Sequence, residues 1–247
     1  MNTLNINISI NPEIYLRDPK GTNLGKRIIK NSIILIDKYG LDGFNFKKLA
    51  QKISSTESSI YRYFVSKNCL FIYLINWYWE WMSTRIDIAT INVANPKIKV
   101  AKVIEVLTSA SFVDMDIPFV DEELLHKIII REGAKAYHHN TVDNQNEYGF
   151  FLSYKTLCKK ISNIFLEINP EYKYPKSLAS TLLESCNNNI YFAKHLPRLT
   201  DLQFSDDEEL MRSDLFTMMQ EMVFANLSFT PEKEKTFINH KILSNEK

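Results

Sequence analysis

Residues 46–67 read Phe46-Lys-Lys-Leu-Ala-Gln-Lys-Ile-Ser-Ser-Thr-Glu-Ser-Ser-Ile-Tyr-Arg-Tyr-Phe-Val-Ser-Lys67. Phe46, Leu49, Ala50 and Ile53 recur at helical spacing and predict a short helix. Ser54, Ser55 and Thr56 interrupt the pattern, and the Thr56 hydroxyl is placed to cap a second helix. That second helix turns Ile60 and Phe64 inward. Its outer face is then expected to show Ser58, Ser59, Tyr61, Arg62 and Tyr63. Hydroxyls, phenols and a guanidinium donate to phosphate oxygens and base edges, so such a helix fits a DNA groove.

Charge is distributed to match. The chain carries a net charge of only +1, which by itself argues against nucleic acid. Residues 20–67, however, hold ten Lys and Arg against three acids, leaving the remainder at −6. A basic head on an acidic body points to a polyanion partner for the head.

The stretch resembles the helix-turn-helix of the TetR/AcrR family of transcriptional regulators. Leu49-Ala50 stands where that family has a branched residue followed by Ala, and Thr56 stands at the start of its recognition helix. Ile60-Tyr61-Arg62-Tyr63-Phe64 matches its aromatic block, and Ser66-Lys67 the Ser-Lys that opens its long fourth helix. The preceding helix, Gly25–Tyr39, and the turn Gly40-Leu41-Asp42-Gly43-Phe44 also fit, so the resemblance covers about residues 24–75. Three places depart from the pattern. Ile53-Ser54-Ser55 replaces a common Ala-Gly-Val, Ser58 replaces a Gly or Ala, and Glu57 sets a negative charge near the expected phosphates.

The resemblance implies an all-α fold of about nine helices. A three-helix head is joined by a long fourth helix to a ligand-binding and dimerisation body. It implies an arm at 1–23, a DNA-binding domain at 24–70, a body at 71–230 and a charged tail at 231–247. Helical patterns are expected at about 24–39, 46–53, 57–63, 67–91, 97–112, 121–137, 148–168, 175–196 and 207–227. Pro12, Pro19 and Gly21 break the arm, which reads as extended or poorly ordered. Residues 114–118 read as a break and 138–146 as a polar loop.

The DNA contacts expected from this reading are Thr56, Tyr61, Tyr63 and Lys67 on phosphates, Ser58, Ser59 and Arg62 on base edges, and Lys47 as a further contact. Trp77, Tyr78, Trp79 and Trp81 crowd more than one face of the long helix. Core packing is the commoner use of any one such residue, but the surplus points to a cavity. An apolar or amphipathic effector is therefore expected beside Trp77, Trp81, Tyr154 and Cys158, with Tyr137 or His126 offering a polar contact. The last two helices carry Leu183 and Ile190, then Met211, Leu215, Met218 and Met222. The resemblance puts the dimer interface there.

Other chemistry is sparse. His138-His139 are adjacent, which is poor spacing for one metal, and no metal or cofactor is expected. No phosphate loop or nucleophile elbow stands out, so the chain does not read as an enzyme. Cys69, Cys158 and Cys186 are odd in number and imply free thiols in a reducing, cytoplasmic compartment, with no membrane partner. The expected function is a ligand-responsive regulator, a repressor that binds a palindromic operator as a homodimer. The rival reading is a helical lipid or small-molecule carrier, or an interaction module with a degenerate head.

Overall fold

Each of the first four helices opens on a side chain that accepts an otherwise orphaned backbone N–H. In the computed structural model Thr22 takes that of Gly25 (2.9 Å) and opens α1 (Asn23–Gly43). Asn45 takes that of Lys48 (2.9 Å) and opens α2 (Phe46–Lys52). Thr56 takes that of Ser59 (3.3 Å) and opens α3 (Glu57–Tyr61), and Ser66 takes that of Cys69 (3.2 Å) and opens α4 (Lys67–Thr90). Each cap contributes about 1 kcal/mol, and together they set the boundaries of the head. The structure describes residues 8–109, 119–203 and 208–228. The break at 114–118, the first residue of the helix expected from 207, and the tail at 231–247 lie outside them.

The body continues with α5 (Pro96–Thr108), α6 (Glu122–Glu132), α7 (Val142–Glu147), α8 (Leu152–Ile168), α9 (Pro175–His195) and α10 (Glu208–Ser228). Among the described residues there is no strand, and the fold is all-α. The order is the expected one with one addition: α7 forms inside the expected polar loop. It buries no residue and has no side-chain cap, so no apolar period announces it. The helix expected over 121–137 ends at Glu132 and tightens into a 3₁₀ turn, Gly133–Ala136.

Gly40 punctuates α1. Its φ of 68° lies in the left-handed region, where a side chain is strained, and the chain resumes a last helical turn through Gly43. The head therefore ends α1 on a built-in bend.

α4 is buried on every side, from Leu70 through Ile86, with only Glu80, Thr84 and Arg85 left half-buried in that span. α5, α6 and α8 pack around it. A helix that is apolar all round belongs in the centre of a fold. This accounts for its aromatic surplus without any ligand.

From residue 8 onward the N-terminal arm is docked rather than solvated. Ile8, Ile10, Ile14 and Pro19 are buried, and Tyr15 meets Tyr73 edge-on at 5.9 Å. The Leu16 N–H donates to the Tyr63 carbonyl (2.8 Å), Asn11 Nδ2 to the Tyr148 carbonyl (2.8 Å), and Lys20 Nζ to the Ile8 carbonyl. Gly25 permits the approach, since a Cβ there would lie 2.2 Å from the Pro19 carbonyl oxygen. The isoleucines of this segment supply the apolar area that composition alone assigned to a tail.

Candidate nucleic-acid interface and ligand cavity

The turn between α2 and α3 is held by its own backbone. Ser54 has φ 48°, and the Ser55 N–H reaches back to the Ala50 carbonyl (2.9 Å). Arg27 of α1 donates to the Ile53 carbonyl and fixes the turn from behind. Ile60 and Phe64 are fully buried, which forces the other face of α3 outward. Thr56, Ser58, Tyr61 and Arg62 are exposed there, Ser59 is half-buried, and Lys47 is exposed on α2. Tyr61, 47% exposed, is steadied edge-on against Phe46 at 5.0 Å. Thr56 Oγ1 lies 2.9 Å from both the Ser58 and Ser59 hydroxyls, so three of the expected contact residues form one hydroxyl cluster.

Two expected DNA contacts point elsewhere. Tyr63 is 2% exposed, and its hydroxyl meets the Thr22 hydroxyl at 2.7 Å, tying the end of α3 to the start of α1. It falls on the inner side because α3 ends at Tyr61 and the chain turns there. Lys67 spends its ammonium on the carbonyls of Leu41 (3.0 Å), Asp42 (3.4 Å) and Phe44 (3.3 Å). An ammonium has three N–H donors, so this arrangement leaves none for a phosphate. Lys67 closes the α1–α2 corner instead. Arg17 of the arm lies over the Tyr63 ring at 5.5 Å and adds a cation beside α3.

The expected effector site is filled by protein. Trp77 and Trp81 are almost wholly buried and stacked on each other at 6.3 Å. Tyr154 stacks on Trp79 (4.7 Å) and on Tyr137 (5.6 Å), and Trp79 Nε1 donates to the Tyr137 hydroxyl (2.9 Å). The Tyr154 hydroxyl donates to Glu184 (2.8 Å), and Cys158 is half-buried in the same layer, where burial pushes its thiol up to about 11. Aromatic residues at helical spacing serve core and pocket alike, and here α8 and α9 close over them.

A cavity of about 280 Å³ opens elsewhere, between the C-terminal part of α1, α6, α9 and α10. That is just under the common span of ligand-site volumes, about 300–1,000 Å³. Of the expected effector residues, His126 is the one that lines it. Ile130, Ile190, Tyr191 and Met211 give it an apolar wall, and Lys127, Arg131, Lys194 and Arg212 a cationic one. The spacing of Lys127 and Arg131, or of Ile190 and Lys194, is visible in the sequence. That these faces confront one another is not.

His126 is held from behind. Its Nδ1 lies 2.7 Å from the Tyr78 hydroxyl, in a fully buried pair. Burial raises the Tyr78 hydroxyl far above its ordinary value, so it keeps its proton, and with Nδ1 as its hydrogen-bond partner among the described residues the assignment that satisfies its O–H has it donating to Nδ1. The neutral ring then carries its own proton on Nε2. Burial, helped by the charges of Arg85, Arg212 and Lys127, pulls His126 down from 6.5 to about 4.

The dimer stripe is partly inward. Met211 and Leu215 are buried in their own subunit, continuing through Met219, Val223 and Leu227 at four-residue intervals. Leu183 is buried likewise. Met218, Met222 and Ile190 are half-buried and remain at or near the surface of α9 and α10. Helix α10 is apolar on more than one face, and periodicity alone did not separate the inward stripe from the outward one.

The fold is one shared with solved transcriptional regulators, among them one of the TetR family. The likeness is one of shape, since neither a protein-family model nor a curated protein sequence matches the chain. A putative TetR-family transcription regulator from Shewanella sp. PV-4 superposes with a TM-score of 0.55 at 16% identity, over 83% of this chain and 97% of that one. AibR in complex with isovaleryl coenzyme A and operator DNA gives 0.54 at 13%, over 78% and 97%. The ketosteroid transcriptional regulator KstR2 of Mycobacterium tuberculosis gives 0.52 at 11%, over 87% and 96%. Among the described residues no helix is long and apolar enough to cross a membrane.

Proposed function

We propose that this protein is a ligand-responsive, DNA-binding transcriptional regulator: a repressor that holds a palindromic operator as a homodimer and is released by a small apolar or amphipathic effector. The observation that carries this reading is the exposed hydroxyl, phenol and guanidinium face of α3, on a head carrying a charge of +7 over residues 20–67. A protein of the same fold is described with operator DNA and a coenzyme A thioester. Free, buried or half-buried thiols fit a reducing, cytoplasmic setting.

The division of roles at α3 is testable. Arg62→Ala should change base preference, at about 1–3 kcal/mol if the guanidinium holds a guanine edge. Lys47→Ala should weaken binding to all sequences and lower the magnitude of the salt slope by about one. Lys67→Met should instead lower the stability of the head. Gel-shift titrations against genomic fragments over a salt series measure the first two. A parent protein that binds no fragment at low salt is a carrier or interaction module, and the regulator reading is then wrong.

One recognition helix reads too few base pairs alone, which is why a dimer is required. The half-buried Met218 and Met222 are the residues to charge, because Leu215 would disrupt the subunit itself. Met218→Glu with Met222→Glu should give a folded monomer by sedimentation. Operator affinity should fall about a hundred-fold, the avidity lost with the second half-site. A monomeric parent at micromolar concentration would exclude the homodimer.

A further inference from the structure

The cavity between α1, α6, α9 and α10 and the joint between head and body share one side chain. Arg131 lines the cavity. The same guanidinium donates from Nη2 to the α1 carbonyls of Ile36 (3.2 Å) and Asp37 (3.0 Å), and its Nη1 lies 3.5 Å from the Asp37 carboxylate. These carbonyls sit just before the bend at Gly40, so Arg131 holds α1 to α6 where the head leaves the body. Lys135, one turn on, repeats the clamp on Asp42 (2.6 Å).

The lining fits one chemical class. Ile130, Ile190 and Met211 accept a hydrocarbon chain. Among the described residues the charged lining comprises four cations, Lys127, Arg131, Lys194 and Arg212, against the carboxylates of Asp37 and Glu123, the latter paired with Lys127 at 2.6 Å, so the cations outnumber the carboxylates by two. Cations around an apolar wall select an amphipathic anion over a neutral or cationic amphiphile.

We propose that this cavity binds an amphipathic anion, a fatty carboxylate or alkyl phosphate, whose acidic group competes with the Ile36 and Asp37 carbonyls for Arg131. A carboxylate or phosphate is a stronger acceptor for a guanidinium than either carbonyl, because the bond is charge-assisted and bidentate, and the contacts of Arg131 with the carboxylates of Asp37 (3.5 Å) and Glu132 (3.4 Å) are long. Binding therefore draws Arg131 off α1 and loosens the head. Operator affinity falls because a loosened pair of heads must be reordered on the DNA.

The effect on DNA rests on the regulator reading; the cavity does not. The two are tested separately. Octanoate, octyl phosphate, octanol and octylamine are titrated into the full chain by calorimetry without DNA. Octanoate or octyl phosphate should bind at least about ten-fold more tightly than the alcohol or amine, the usual effect of one charge-assisted bond. The stronger of the two anions identifies the acidic group. Ile190→Trp, which fills the cavity from a half-buried position, should abolish that binding while the protein stays folded by circular dichroism. Arg131→Gln should weaken it about ten-fold. Operator titrations with and without octanoate then read the coupling, which must appear with the same factor in both directions. Equal affinity for all four probes, or binding unaffected by Ile190→Trp, overturns the site. Anion binding that leaves operator affinity unchanged overturns the Arg131 latch. Failure of the parent to bind DNA refutes the regulator reading and leaves the calorimetric result standing.

Discussion

Trp81→Ala should lower the unfolding free energy by about 3–5 kcal/mol, the range for deleting a large aromatic from a closed core. The side chain is 0% exposed, stacked against Trp77, and covered by the Arg85 guanidinium at 4.8 Å. Its Nε1 has no hydrogen-bond partner among the described residues. Trp81→Phe removes that unsatisfied N–H while keeping much of the ring, so it should cost well under half as much. Urea titrations followed by far-ultraviolet circular dichroism measure both. The pair separates core from pocket. A ligand-lining tryptophan would tolerate truncation with little stability loss and a large change in effector binding. A loss below about 1 kcal/mol for the alanine variant would contradict the close packing described here.

Acid should destabilise the body through His126. In the folded protein burial pulls this group down to about 4, whereas the unfolded chain releases it to its ordinary 6.5. Between those values the unfolded state binds the extra proton, so stability is full above about pH 6.5 and declines as pH falls towards 4. The gap corresponds to about 3 kcal/mol by pH 4. His126→Gln, which can still accept from the Tyr78 hydroxyl, should flatten this part of the profile. Unfolding free energies measured from pH 7 to pH 4 for the two proteins check it, and parallel profiles would show that another group carries the acid sensitivity. A loss through this window also places the cavity's own wall at risk, since His126 lines it.

The two results concern side chains that the sequence placed in one pocket. The structure puts them in different settings: Trp77 and Trp81 in the centre of the fold, His126 at the edge of a cavity one helix away. The three-helix head was legible in its boundaries. Its signals are local: a cap at Thr56, a turn at 53–55, and a period that buries Ile60 and Phe64. Local hydrogen bonds and a short apolar period need no knowledge of the rest of the chain. Where the local rule failed, a distant partner was responsible. Tyr63 turned inward to meet Thr22, and Lys67 turned back to the carbonyls at 41–44.

The arm shows the same limit. Proline and glycine mark where helices stop, and nothing in them says what the intervening isoleucines touch. Ile8, Ile10 and Ile14 pack against a surface made by elements far along the chain. The amino-acid sequence by itself determined the all-α class, the order of the helices apart from α7, the caps of the head and its basic charge, because each follows from spacing and composition within a few residues. Tertiary structure alone decided which stripe of α10 faces inward, that the aromatics of α4 are enclosed, and that a cavity lies beside Arg131. Those outcomes depend on which helix faces which, a relation between residues far apart in the chain, such as Asp37 and Arg212 on one cavity wall, that no local period encodes.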